Sequence, residues 1–132
     1  MADGDTITVL RNGKQQVKIR LYGIDTPERR QAFGNKAKQF TSGMVFGKVV
    51  EIESVDIDRY GRTVAIVKIE SLILNEELVR ESFAWVYPEF CHRPICNKCY
   101  VLSVNAHDAK KGLWVDPNPI PPWEFRRKNR RK

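Results

Sequence analysis

The chain has 132 residues, of which 42% are hydrophobic and 30% are charged. These proportions are ordinary for a soluble globular protein, and the length allows one domain with a substantial core but not two. No apolar run approaches the roughly 20 residues that a membrane-spanning helix needs, so the sequence predicts no membrane partner.

The net charge of +7 is concentrated at the C-terminal end. Residues 124–132 contain six Lys or Arg and one Glu. Such a run is typical of a solvated, disordered tail, although it also attracts phosphate loosely at low salt. We therefore predict a domain over residues 1–123 and a basic, disordered tail over residues 124–132.

Alternating apolar and polar residues, bounded by turn residues, predict the strands. Asn12-Gly13 is the strongest short hairpin signal, so the first two strands should pair antiparallel. A second turn is predicted at Asp58-Arg59-Tyr60-Gly61. In chain order, the predicted strands are residues 5–11, 16–22, 49–56, 63–69, 72–74 and 84–87.

Three helices are predicted between and after these strands. Phe33, Ala37, Phe40 and Met44 recur at helical spacing and predict a helix over residues 34–46. Asn75 is a suitable N-cap for a helix over residues 75–81, and a last helix fits residues 100–111 with Gly112 as its cap. Prolines follow Trp114, so an irregular segment is expected there. The pattern predicts an α+β fold that is mainly β.

Three polar segments far apart in the sequence predict the chemistry. They are residues 3–6 (Asp-Gly-Asp-Thr), residues 20–28 (Arg-Leu-Tyr-Gly-Ile-Asp-Thr-Pro-Glu) and residues 56–62, which end in Asp-Arg-Tyr-Gly-Arg. Each segment alone has a structural explanation as a turn, a loop or an edge strand. Their joint occurrence favours one site that holds a metal ion and a phosphate.

Phosphodiester cleavage needs fixed cations, because the non-bridging oxygens gain charge as phosphorus becomes five-coordinate. Arg20 and Arg62 are the predicted clamp, since a planar guanidinium matches phosphate and stays charged. Glu28 is the candidate that orients or deprotonates the attacking water. Asp5, Asp25 and the Thr26 carbonyl form an all-oxygen set that favours Ca²⁺ or Mg²⁺ over Zn²⁺.

These motifs, in this order, resemble the staphylococcal nuclease family over nearly the whole chain. Further matching segments are residues 74–80, 112–114 and 122–126. The resemblance implies a five-stranded OB-fold barrel with three helices. It also implies Ca²⁺-dependent endonucleolytic cleavage of DNA and RNA with little sequence specificity, which gives 3′-phosphate products.

By the same resemblance, Asp5, Asp25 and Thr26 match calcium ligands, and Arg20, Glu28 and Arg62 match the catalytic trio. Arg59 and Tyr60 are predicted to contact substrate together with Tyr87, which lies near the positions of the family's nucleotide-stacking tyrosines. Core packing remains the alternative for Tyr87. The rival function is a catalytically inactive module that binds nucleic acid or protein. Such a module would not need acidic side chains beside phosphate, because without a metal ion they would repel it.

The start of the chain departs from the family pattern. The family's first strand begins well before the Asp-Gly-Asp-Thr motif, whereas two residues precede that motif here. We therefore expect a shortened first strand and a poorly anchored Asp5, and a monomer with a strand-exchanged dimer as the alternative. We also expect any targeting segment to have been removed, which favours a secreted or periplasmic protein but leaves localisation open.

The cysteine cluster has three readings. Cys91, Cys96 and Cys99 could hold a structural Zn²⁺ together with His92 or His107. Alternatively, Cys91 forms a disulfide with Cys96 or Cys99, or all three thiols are free. The single Cys-x₂-Cys pair does not decide among them.

Overall fold

The structure is a computed structural model that describes residues 3–116 and 118–130. Seven strands and four α-helices are found in these residues. Two short 3₁₀ helices occupy Pro88–Phe90 and Gly112–Val115. The strands are β1 (Thr6–Arg11), β2 (Gln15–Leu21), β3 (Ile24–Asp25), β4 (Glu51–Ile57), β5 (Thr63–Ile69), β6 (Leu72–Ile73) and β7 (Trp85–Val86). The helices are α1 (Gly34–Val45), α2 (Leu74–Arg80), α3 (Ile95–Asp108) and α4 (Pro122–Arg130).

Five strands form one mixed sheet in the order β1-β2-β5-β4, with β6 paired to β5. β2 and β5 run parallel, and the other pairs are antiparallel. Over the described residues the strands do not close into a continuous ring, so the sheet is a partly open OB-type barrel. β3 and β7 form a separate two-stranded ladder in which Asp25 lies opposite Trp85. The predicted α+β, OB-type fold is confirmed, with four helices in place of three.

The first hairpin confirms the Asn-Gly prediction. Asn12 and Gly13 have φ values of 53° and 71°, as a type I′ turn requires. β1 pairs with β2 over its whole length, and the Leu21 N–H donates to the Asp5 carbonyl (2.8 Å). Asp5 is 4% exposed, so the expectation that it is poorly anchored is wrong. The oligomeric state stays a prediction.

The predicted N-cap role of Asn75 is wrong. α2 begins one residue earlier, at Leu74, and the Asn75 side chain is buried. Its amide donates to the carbonyls of Tyr22 (3.0 Å) and Ala65 (3.2 Å) and accepts from the Val67 N–H (3.0 Å). Asn75 therefore ties α2 to the sheet rather than capping the helix.

The cysteine region forms a disulfide and a helix. Cys91 and Cys96 are bonded, with 5.7 Å between their Cα atoms, and Cys99 is a free, buried thiol. The zinc alternative is wrong, because two of the three proposed sulfur ligands are consumed by the disulfide. α3 begins at Ile95 rather than at residue 100 and buries Cys96, Cys99, Leu102 and Ala106 on one face.

The C-terminal segment is helical where an irregular tail is predicted. α4 begins with Pro122, a residue that suits the first position of a helix because its missing N–H has no helical partner there. α4 crosses the predicted boundary at residue 123, while residues 131 and 132 lie outside the described part. No helix in the described residues is long and apolar enough to cross a membrane.

The core lies between the sheet and helices α2 and α3. Branched aliphatic side chains dominate it, including Ile7, Ile19, Leu21, Val67, Leu74 and Leu78. Their alternation along β2 leaves the intervening Arg20 on the other side of the strand. The core thereby directs a charged side chain toward the opening between β2 and the following loop.

Candidate active site

An open cleft collects side chains from the start of β1, the end of β2, the loop after β3, the β4–β5 turn and α4. The sequence-predicted site residues come from the first four of these segments, from β3 itself and from Tyr87, which follows β7. Eight of the nine line the cleft: Asp5, Arg20, Asp25, Glu28, Arg59, Tyr60, Arg62 and Tyr87. The ninth, Thr26, is buried next to it.

Asp5 and Asp25 are the buried carboxylates of this cleft. Asp5 Oδ2 accepts a hydrogen bond from the Thr26 N–H (3.0 Å), which joins the start of β1 to the end of β3. Asp25 is 0% exposed and lies on β3, where pairing with β7 fixes its backbone. Thr26 Oγ1 is buried without a hydrogen-bond partner. Oxygen atoms therefore dominate this part of the site.

Arg20 is held by both carboxylates and by the backbone. Its Nη1 donates to the carbonyls of Leu21 and Ile24, each at 2.9 Å. Its Nη2 lies 3.4 Å from Asp25 Oδ1 and 3.5 Å from Asp5 Oδ2. Because β2 and β3 are separated by only a two-residue turn, one guanidinium reaches both strand ends.

Glu28 lies in the loop between β3 and α1. Its backbone N–H donates to Gln31 Oε1 (2.9 Å), and its carboxylate accepts a hydrogen bond from Arg126 Nη1 (2.8 Å). Gly34 packs so closely on the Glu28 carbonyl that any Cβ would collide with it. The start of α1 therefore requires glycine and fixes the position of this loop.

The clustered carboxylates perturb one another. Burial, together with the charge of Asp5, raises the pKa of Asp25 to about 7 despite the hydrogen bond from Arg126. Burial also acts to raise the pKa of Asp5, but Arg20 and the Thr26 N–H hold it below its ordinary value. Asp3 joins the group: burial and the charges of Asp5 and Glu28 raise its pKa to about 6. This set of pKa shifts is typical of a site that concentrates negative charge.

Arg62 faces the cleft from the β4–β5 turn. Its Nε donates to Asp58 Oδ2 (2.7 Å), and its Nη1 lies 3.4 Å from Thr6 Oγ1, next to Asp5. Asp58 also accepts from the backbone N–H groups of Tyr60 and Arg62, both at 2.9 Å. The Asp58 side chain thus shapes the turn and restrains Arg62.

Aromatic rings line the two sides of the cleft. On one side, the guanidinium groups of Arg59 and Arg62 lie 5.2 and 5.5 Å from the exposed ring of Tyr60. On the other side, Tyr87 is half-buried and stacks on Trp123 of α4, with 4.8 Å between centroids and 17° between planes. Tyr87 therefore belongs to a packed aromatic pair as well as to the wall of the cleft.

The donor set fits a hard divalent cation. No group of three or more His, Cys, Asp or Glu side chains within residues 3–116 and 118–130 is arranged to hold a metal ion. An ion at this site would be held by two carboxylates, those of Asp5 and Asp25, which both contact Arg20 Nη2, together with carbonyl oxygen and water. All-oxygen sets of this kind suit Ca²⁺ or Mg²⁺, which retain water ligands readily.

Sequence reasoning missed three contributors to the site, namely Asp3, Trp123 and Arg126. Arg126 makes the shortest ion pair with Asp25, with 2.7 Å between Nη2 and Oδ2. The signal for Arg126 and Trp123 was available, because both lie in the segment 122–126 that matches the family. The assignment of residues 124–132 to a disordered tail concealed the role of Arg126.

Fold and cleft together define a small OB-type domain with a site of mixed carboxylate and guanidinium side chains. The family model described as "Staphylococcal nuclease homologue" matches residues 18–116. The chain therefore belongs to the staphylococcal nuclease family.

Curated relatives cover most of the chain. A protein of Haemophilus influenzae named "Uncharacterized endonuclease" is 40% identical over 131 residues, which are 98% of this chain and 71% of that protein. The "Micrococcal nuclease" of Shigella flexneri is 37% identical over 95% of this chain and 76% of its own length. The "Probable staphylococcal-like nuclease CAN1" of Oryza sativa subsp. japonica is 35% identical over 88% of this chain, but over only 34% of that protein.

Proposed function

We propose that the protein is a Ca²⁺-dependent endonuclease. It hydrolyses phosphodiester bonds of DNA and RNA with little sequence specificity and leaves 3′-phosphate ends. The observation that carries this proposal is the meeting of Asp5, Asp25, Glu28 and Arg20 in one open cleft, although they come from distant segments. Family membership and the nuclease names of the relatives support the same activity.

Arg20 and Arg62 bind the scissile phosphate in this proposal. Arg20 is already oriented by two carbonyls, and Arg62 by Asp58. Little reorganisation is therefore needed when negative charge develops on the phosphate oxygens, and preorganised donors are the most effective ones. Guanidinium groups stay charged, and their N–H groups match the geometry of phosphate oxygens.

Glu28 orients the attacking water or accepts its proton. Its side chain is one-fifth exposed and faces the cleft, so water and substrate can reach it. The Gln31 side chain and the close packing of Gly34 hold the Glu28 backbone. Such support matters because a small misplacement of a catalytic group costs much of the rate.

Asp5, Asp25 and the Thr26 carbonyl hold the divalent cation. When bound, the cation supplies Lewis-acid polarisation of a phosphate oxygen and a water of lowered pKa. Ca²⁺ suits the carboxylate and carbonyl donors and the open side of the cleft, which leaves room for water and phosphate ligands. These three residues would hold the ion in the cleft that Glu28 also lines.

Arg59, Tyr60 and Tyr87 bind the flanking nucleotides. Stacking of a base on an aromatic ring contributes roughly 1–3 kcal/mol and is tolerant of sequence. Arginine contacts to phosphate likewise carry no sequence information. A cleft lined mainly by such groups accounts for low sequence specificity.

A supercoiled plasmid assay tests the activity. Nicking and linearisation are expected with Ca²⁺ and should stop when a chelator is added. Glu28→Gln should reduce the rate by roughly 10²–10⁴-fold, the usual contribution of a general base, whereas Glu53→Gln, an exposed residue of β4, should leave it unchanged. Product ends should support polymerase extension only after phosphatase treatment.

The assay also distinguishes the endonuclease from the rival function, a catalytically inactive binding module. A binding module would retard DNA with or without Ca²⁺ and would leave it intact. Cleavage that persists after chelation would instead remove the ion from the mechanism. Equal activity of the Glu28→Gln variant and the wild type would remove Glu28 from its role.

A further inference from the structure

Arg126 is the principal cation of the acidic cluster. Its Nη1 lies 3.1 Å from Asp25 Oδ1 and 2.8 Å from Glu28 Oε1, and its Nη2 lies 2.7 Å from Asp25 Oδ2. One guanidinium thus engages both oxygens of a fully buried carboxylate and bridges it to the second. Arg20 approaches Asp25 less closely, at 3.4 Å.

The position of Arg126 is set by the docking of α4. Gln31 Nε2 donates to the Ile120 carbonyl (2.8 Å) just before the helix. Trp123 stacks on Tyr87 and meets Trp85 edge-on, with 5.8 Å between centroids. Trp85 lies opposite Asp25 in the β3–β7 ladder. The contacts that hold α4 therefore surround the carboxylate that Arg126 binds.

We propose that Arg126 competes with the divalent cation for Asp25. The inference builds on the proposed function, in which Asp25 is an ion ligand. A divalent cation at Asp25 and a guanidinium bound to both oxygens of that carboxylate would be like charges in close contact at a poorly solvated site, where such repulsion is strong. Each cation therefore weakens the other's hold on Asp25, and the coupling is reciprocal.

A purely structural role for Arg126 makes the opposite prediction. If Arg126 only arranged Asp25 and Glu28, its removal would disorder the ion ligands and weaken Ca²⁺ binding. If Arg126 competes, its removal strengthens Ca²⁺ binding. The sign of the change therefore distinguishes the two roles.

Calorimetric titration of the full chain with Ca²⁺ alone, without nucleic acid, tests the inference. Arg126→Gln should lower the Ca²⁺ dissociation constant about tenfold, within the range usual for coupled sites. The matched control is Arg127→Gln, which removes the same charge from the next, exposed position of α4 and should change the constant by less than about twofold, as expected of a screened surface charge. Arg126→Lys keeps the charge but cannot form the same fork, so its constant should fall between those of wild type and Arg126→Gln.

Binding by Arg126→Gln that is equal to or weaker than that of Arg127→Gln would overturn the competition. If circular dichroism shows that Arg126→Gln is unfolded, Arg126→Lys is used for the test instead. A Ca²⁺ dissociation constant of Arg126→Lys equal to or larger than that of the wild type would then overturn the competition. If the wild type binds Ca²⁺ and cleaves DNA but Arg126→Gln binds no tighter, the inference fails and the proposed function stands. If the wild type and all three variants fail to bind Ca²⁺, both fail.

Discussion

Two arginines of the cleft are restrained in different ways. Arg20 donates to two backbone carbonyls and contacts two buried carboxylates, and its side chain is 15% exposed. Arg62 depends on the single carboxylate of Asp58 in an exposed turn, and its side chain is 28% exposed. Arg20 therefore contributes to stability in addition to its proposed role in phosphate binding, whereas Arg62 can be removed with less damage to the fold.

Arg62→Ala is the cleaner test of the phosphate clamp. We expect kcat to fall about 10²–10³-fold, by analogy with the loss of one preorganised donor to a developing oxyanion, with little change in KM. Steady-state cleavage of a short fluorescent DNA substrate measures both. Arg80→Ala is the control, because Arg80 is exposed and pairs with Glu77 on α2, away from the cleft.

An unchanged kcat in Arg62→Ala would exclude Arg62 from the clamp. A rise in KM with constant kcat would assign it to uniform substrate binding instead. Thermal melts of both variants must match the wild type for either conclusion to hold.

Site residues could be predicted from the sequence where they lie in a recognisable local pattern, such as a strand end or a turn. Asp25, Thr26 and Glu28 follow a strand that ends at a proline, and Asp58 and Tyr60 lie in a recognisable turn. Arg126 has no comparable local signal, since its charge lies in a basic run and its partner Asp25 is 101 residues away. Its place in the site follows from the packing of α4, and in the sequence it is indicated by the match of segment 122–126 to the family.

At the scale of elements, Asn75 joins α2 to the sheet. Its amide satisfies the Val67 N–H and the carbonyls of Tyr22 and Ala65 within the core. Asn75→Ala should lower the free energy of unfolding by about 3 kcal/mol, because it leaves buried backbone groups unpaired. Urea denaturation followed by circular dichroism measures the loss.

Asn97→Ala provides the comparison for this variant. Asn97 is an exposed residue of α3, and a substitution there should change stability by less than about 0.5 kcal/mol. Equal stabilities of the two variants would show that water replaces the Asn75 amide, against the role assigned to it.

Most strands were predictable from local patterns, and β3 was not. β5 matches its predicted bounds of 63–69, the β1–β2 hairpin follows from Asn-Gly, and the short strands β6 and β7 lie within the predicted segments 72–74 and 84–87. β3 has two residues and is defined by the pairing of Ile24 with Val86, far along the chain. A two-residue strand has no periodicity to read. α4 was missed because its proline was taken as a helix breaker rather than as a helix start.

At the scale of the whole molecule, the site is assembled by contacts between the two ends of the described chain. Asp3 and Asp5 come from its beginning, and Arg126 comes from its last helix. Seven carboxylic acids and six arginines line the cleft. Within it, four of the acids (Asp3, Asp5, Asp25 and Glu28) lie around Arg20 and Arg126. The excess of acids in this cluster suits the proposed divalent cation, while the two arginines compensate part of the charge in its absence.

This balance predicts that the protein stays folded when Ca²⁺ is removed. The core lies under the sheet rather than at the cleft, and Arg20 and Arg126 pair with the buried carboxylates without an ion. Excess chelator should therefore abolish cleavage but leave the far-ultraviolet circular dichroism spectrum and a cooperative melt in place. Ca²⁺ at about 100 times its dissociation constant adds about 2.7 kcal/mol, so the melting temperature should rise by about 10 °C on its return.

The Arg20→Gln variant, measured in chelator, tests whether the cleft arginines stabilise the ion-free protein. It removes the guanidinium that contacts both Asp5 and Asp25, so the melting temperature should fall further than in wild type, because a buried carboxylate loses a partner. Restored Ca²⁺ should recover part of that loss, since the ion then supplies the missing positive charge. Loss of the wild-type fold on chelation would mean that the ion is a structural component, and the arginines of the cleft would then have to be assigned to substrate alone.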